Sequence, residues 1–158
     1  MEYAVLGAFV GANFLAALSG AIFPPGAWYA TLAKPAWRPP DWLFGPAWSV
    51  LYTANAVAGW LVWKADGGTA PLVVYGVSLV FNAGWSAIFF GLRRMDWAFY
   101  WLIGLWLSVA ATILAFAPHS QTAVWLLAPY LAWVTFAGAL NRAIWRLNAG
   151  ARSSDFGG

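Results

Sequence analysis

The stretch WYATLAKPAWRPPDWLFGPAW, residues 28–48, separates two strongly apolar runs and decides how the chain is laid out. It carries Trp28, Trp37, Trp42 and Trp48 together with Tyr29, Lys34 and Arg38. Most of the protein's 9 prolines fall between Pro24 and Pro46, where missing amide donors and a fixed φ oppose a continuous helix. The stretch therefore reads as an ordered, aromatic-rich connection between two membrane spans.

Outward from that connection, the composition points to a bilayer. Hydrophobic residues make up 63% of the 158 and charged ones 8%, against about 25% charged in an average soluble domain. A hydrocarbon core roughly 30 Å thick needs about 20 apolar residues per helix, and the chain offers such runs in one domain, 1–158. Helices are predicted at about 3–23, 43–63, 71–92, 97–117 and 122–147. Pro46 is expected in the first turn of the second helix, and Pro129 is expected to kink the fifth. The expected fold class is an all-α membrane protein: a five-transmembrane-helix bundle with a long Trp/Pro-rich loop between helices 1 and 2. The chain begins Met1, Glu2, Tyr3 rather than with the basic start of a cleaved signal, so the first run is kept as a helix. The polar tail from Asn148 onward is expected to fray.

Five spans put the termini on opposite sides. One side then carries Lys64 alone, and the other carries Lys34, Arg38, Arg93, Arg94, Arg142, Arg146 and Arg152. The positive-inside rule accordingly predicts a cytoplasmic C-terminus. The net charge of +3 follows from this topology, and the cations are too few and scattered for a nucleic-acid surface. With no cysteine, disulfide and thiolate chemistry are excluded. Gly7 with Gly11, and Ala83 with Ala87, are rival small-residue faces for helix association.

Polar residues inside apolar spans must find partners away from lipid, and here they line up at helical spacing. Trp48, Tyr52, Asn55 and Gly59 share one stripe; Tyr75, Asn82, Ser86 and Phe89 share another, with Trp85 beside it. Trp101, Ser108 and Thr112 form a third stripe, and Tyr130, Trp133, Ala137 and Asn141 a fourth. Helix packing alone accounts for any one stripe. Together with the tryptophan-dense connection they suit a flat apolar ligand, because small-molecule sites combine aromatic walls with a few placed polar groups. Lys34 and Arg38 either meet carboxylates at the mouth of such a site or snorkel to head groups. Trp63, Trp97 and Trp125 fit an interfacial belt.

Three stretches resemble the translocator protein family, also called tryptophan-rich sensory proteins or peripheral-type benzodiazepine receptors. The first is Trp28, Tyr29, Leu32, Lys34, Pro35, Trp37, Pro39, Pro40 and Trp48. The second is Phe81, Asn82, Trp85, Ser86, Phe89 and Phe90, and the third is Pro129, Tyr130, Trp133, Ala137, Leu140, Asn141 and Trp145. The resemblance implies a dimeric five-helix bundle, in a bacterial membrane, whose cavity is closed by the first loop. It implies a porphyrin ligand such as protoporphyrin IX, with no other cofactor required. By motif position the ligand-binding residues are Trp28, Tyr29, Trp37, Trp48, Asn82, Trp85, Ser86, Trp133 and Ala137. Bacterial relatives are associated with light-dependent breakdown of bound porphyrin, for which Trp48 and Trp133 are the candidates here. Residues 140–146 keep an arginine but lack the tyrosine of the animal sterol motif, which speaks against sterol binding there.

Independently of the resemblance, the spans carry no well-buried ionisable group, and His119, the single histidine, falls in a loop. Acid–base and metal mechanisms are thus poorly supplied, and no metal site is expected. Three functions stand at this stage. They are a membrane tetrapyrrole receptor, sensor or carrier; a light-dependent porphyrin-degrading enzyme; and a structural membrane subunit whose stripes only pack helices.

Overall fold

The computed structural model describes residues 1–150. Among these, the regular structure is all helical, with helices α1 (Glu2–Ile22), α2 (Ala27–Thr31), α3 (Asp41–Lys64), α4 (Thr69–Ser86), α5 (Met95–Phe116) and α6 (Gln121–Asn148). A single π-helical turn, Ala87–Gly91, extends α4. Residues 151–158, including Arg152 and most of the tail expected to fray, lie outside the described residues.

Local chemistry accounts for the boundaries. Pro40 is extended (φ −62°, ψ 147°) and stops any helix from reaching back across it. Asp41 then opens α3, where a carboxylate suits the positive end of the helix dipole. That start is two residues before the predicted one, so Pro46 lies in the second turn rather than the first. Gly68 (φ 69°) supplies the left-handed turn ahead of α4, and Pro71 sits in that helix's first turn, where its missing N–H costs nothing. The Ser120 hydroxyl caps α6 by accepting the Ala123 N–H at 3.2 Å. Pro129 lies inside a single uninterrupted helix.

The segment before α3 departs from the expectation of one long loop. Trp28 and Tyr29 ride on the short α2, and Leu32 to Pro40 alone form the irregular strap. Asn148, read as the start of a fraying tail, is the last residue of α6 and is hydrogen-bonded to Ala33.

The five long helices close into a ring in the order α1, α3, α6, α5, α4, with α4 returning to α1. Close approach depends on small residues. Gly84 faces the Trp101 ring, Gly104 faces Phe81, and Gly59 faces Phe9 and Tyr75, each at a spacing that leaves little room for a Cβ. One buried cluster, including Val62, Leu105, Val109, Phe116 and Leu127, fills one end of the ring. A second, around Phe89, Met95, Leu140 and Ile144, lies under α2 at the other.

The outer surface is apolar: Leu15, Val50, Val80, Leu114 and Trp125 are each about two-thirds or more exposed. A water-soluble monomer rarely exposes contiguous apolar surface on this scale. Among the described residues, α1, α4 with its π turn, α5 and α6 are long and apolar enough to cross a membrane.

Candidate functional site

Inside the ring lies a cavity of about 640 Å³. Its wall is largely aromatic because the π turn and α3 point rings at the same space. Trp85, Phe89 and Phe90 form a cluster with centroids 4.9 to 5.7 Å apart. Tyr29 closes over Phe89 and Phe90 from α2, edge-on at 6.1 and 5.4 Å. Opposite them, Trp48 meets Trp133 nearly perpendicular at 6.4 Å and Tyr130 at 6.3 Å. Leu102 and Leu105 of α5 and Ala137 of α6 complete the apolar lining. Gly20, Pro25, Asp41, Gly45 and Ser49 line the cavity yet are exposed, so it opens along the seam between α1 and α3.

The polar groups of the wall are held by other helices. Asn82 of α4 accepts from the Tyr52 hydroxyl of α3 and donates to the Tyr130 hydroxyl of α6 at 2.6 Å. One carboxamide thereby ties three helices. Asn141 accepts the Trp85 indole N–H at 3.2 Å and donates to the Met95 carbonyl at 2.8 Å, which fixes the indole plane. Trp133 Nε1 is buried and has no hydrogen-bond partner, so this ring meets the cavity through carbon. Outside the cavity a second knot joins α1, α3 and α4: Asn13 donates to the Tyr75 hydroxyl and accepts from Asn55 at 2.8 Å.

Of the residues singled out by sequence, Tyr29, Trp48, Asn82, Trp85, Ser86, Trp133 and Ala137 border this cavity, and Trp28, Trp37, Lys34 and Arg38 do not. Trp28 sits behind the wall, edge-on to Phe89 at 6.0 Å. Trp37 is 52% exposed and touches Phe136 on the outer side. Lys34 folds back over the Tyr29 ring and donates to the Leu32 carbonyl at 3.0 Å. Arg38 pairs with Asp41 at 2.6 Å, and its guanidinium is held above its ordinary value by the Tyr29 hydroxyl first and Asp41 after it. Both cations thus already have local partners. Phe44 and Phe90, absent from the candidate ligand set, are part of the wall. The stripe pattern held a signal for Tyr52, Tyr130 and Asn141, whereas Asn13 was the single carboxamide in an uncharged run. Among the described residues no three His, Cys, Asp or Glu side chains converge.

The family model described as TspO/MBR family matches residues 4–146. The chain belongs to the TspO/MBR family. Its similarity to individual members runs nearly end to end. It is 43% identical over 153 residues to the translocator protein of Homo sapiens, covering 93% of this chain and 86% of that one. It is 44% identical over 142 residues to protein CrtK of Rhodobacter capsulatus, covering 87% and 88%. With the tryptophan-rich sensory protein of Cereibacter sphaeroides the identity is 39% over 148 residues, 94% of both chains. As a TspO/MBR member the chain is a membrane protein, in keeping with its apolar outer face.

Proposed function

We propose that this protein is an integral membrane tetrapyrrole-binding receptor, sensor or carrier that holds its ligand inside the helix ring. The observation that carries the reading is the cavity itself. At about 640 Å³ it falls within the roughly 300–1,000 Å³ of small-molecule sites, and like them it has aromatic walls with a few fixed polar groups. A flat conjugated macrocycle suits walls made of indole, phenol and phenyl rings, which stack on or abut its faces and edge. Trp28 and Trp37 act through their packing rather than as direct contacts, and Lys34 and Arg38 are free for a propionate only if they leave their present partners.

The same reading takes α3 as a fifth span. It is 24 residues long and packed between α1 and α6. With the basic residues counted by side, the C-terminus is cytoplasmic. The protein works as a homodimer in a bacterial membrane.

Protoporphyrin IX titrated into the purified protein should quench tryptophan fluorescence saturably, and the Trp48→Phe, Trp133→Phe double variant should bind more weakly. Absence of saturable quenching in the unaltered protein would remove the reading.

A second reading rests on the Trp48–Trp133 pair. Two indoles set edge to face on the cavity wall are positioned to pass an electron to a photoexcited porphyrin and take it back, while dissolved dioxygen adds across one carbon–carbon double bond of the macrocycle, which breaks to leave two carbonyls. Under illumination the absorbance of bound porphyrin should then decay faster than in the double variant; equal decay would leave binding alone.

A further inference from the structure

The strap between α2 and α3 is fastened to the far end of the chain by one side chain. Asn148, which ends α6, accepts the Ala33 amide N–H at 3.0 Å and donates to the Ala33 carbonyl at 2.9 Å. Its second amide hydrogen goes to the Ile144 carbonyl of its own helix at 2.7 Å. One edge of the carboxamide therefore copies the paired bonds of adjoining antiparallel strands, while the third bond fixes its rotamer. The polar side chains at the end of α2 and in the strap bond locally instead: Thr31 to the Trp28 carbonyl, Lys34 to Leu32, and Arg38 to Asp41. Packing of Trp28 and Tyr29 on Phe89 is non-directional and can slide, whereas two bonds to one backbone unit set a position.

We infer that Asn148 is a latch: a positioning residue that holds the strap, and through it α2 with Tyr29, beside the cavity mouth and thereby sets how fast a ligand exchanges. The inference rests on the ligand-binding reading above. Asn148 does not line the cavity, so its loss leaves the wall intact while lowering the barrier to lifting Tyr29 away.

The test uses the full chain in nanodiscs with two variants. Asn148→Asp keeps the shape and acceptor but sets a second acceptor against the Ala33 and Ile144 carbonyls, and Asn148→Ala removes the group without adding charge. Two exposed hydrogen bonds at the weak end of their range correspond to about fivefold in the opening equilibrium. Hydrogen exchange of peptides covering Ala33 should accelerate by that factor in both variants without ligand. Protoporphyrin IX dissociation in stopped flow should accelerate similarly, with the saturating quench unchanged. Unaltered exchange at Ala33 in both variants would overturn the latch, whether or not porphyrin binds. Faster exchange with unchanged dissociation would overturn its control of the ligand. A protein that binds no porphyrin refutes the functional reading and with it the control of exchange, while hydrogen exchange still decides whether the strap is latched.

Discussion

Replacing Asn82 with leucine tests whether the polar tie across the cavity wall holds the helices together. The change keeps side-chain volume roughly constant and removes the acceptor for Tyr52 and the donor to Tyr130. Side-chain hydrogen bonds between membrane helices average about 0.6 kcal/mol and reach about 1.7 kcal/mol, so two of them give ~1–3 kcal/mol. The two phenols differ in what replaces the lost partner. Tyr52 borders the cavity and can turn to water there, whereas Tyr130 is 3% exposed and loses its partner outright. The lower half of the range, about 1–2 kcal/mol, is therefore expected, most of it from Tyr130. Reversible unfolding by steric trapping in bicelles measures it, with Tyr130→Phe and the double variant completing a cycle. A coupling of roughly 0.5–1.5 kcal/mol is expected between these positions. Additivity to within about 0.3 kcal/mol, or an Asn82→Leu protein as stable as the parent, would refute the tie.

Gly84→Ala should destabilise by ~1–3 kcal/mol in the same assay, because the new Cβ would stand 2.6 Å from the Trp101 ring, which its bond to the Phe81 carbonyl holds in place. Asn13→Leu should loosen α1, since it strips partners from both Asn55 and Tyr75. Cross-linking between α1 and α3 reports this, and an unchanged yield would count against the knot. Glu2→Gln should leave stability within about 0.5 kcal/mol, because its 3.1 Å pair with Lys64 is half-exposed and such pairs contribute little.

The sequence made the long helices legible to within about two residues at most ends, because apolar runs between charged turns mark spans directly. The stripes also brought most of the cavity wall together, since side chains at i, i+4 and i+7 share a face whatever the neighbouring helices do. The direction of side chains in the strap was not legible. Proline spacing says that residues 32–40 are irregular, but the turn of Trp37 onto Phe136 depends on a tertiary contact, and the folding of Lys34 onto the Leu32 carbonyl on a local backbone path that proline spacing does not specify. Asn13 was missed for a different reason: α1 was read for charge and small residues, while a lone amide in mid-span already demanded a partner. Asn148 looked like tail because its bonding partner lies 115 residues away.

The π turn at Ala87–Gly91 also has a meaning in chain length. Its Leu92 N–H reaches the Ala87 carbonyl, five residues back, so the turn holds one residue more than the α-helical ladder requires. That surplus residue gives the aromatic wall its breadth. Trp85 and Phe89 would share a face in any α-helix, but Phe90 would turn about 100° away from Phe89. A one-residue deletion at position 87 or 88 could therefore be absorbed without breaking the span, since the ladder would close into ordinary α-helix. The altered helix would set Phe89 and Phe90 three and four residues after Trp85 on one α-helical face, changing the angle at which each ring meets the cavity while Arg93 and Arg94 keep their place beyond it. Length variation at this turn is thus a route by which a bundle of this design can reshape its cavity wall while keeping its fold.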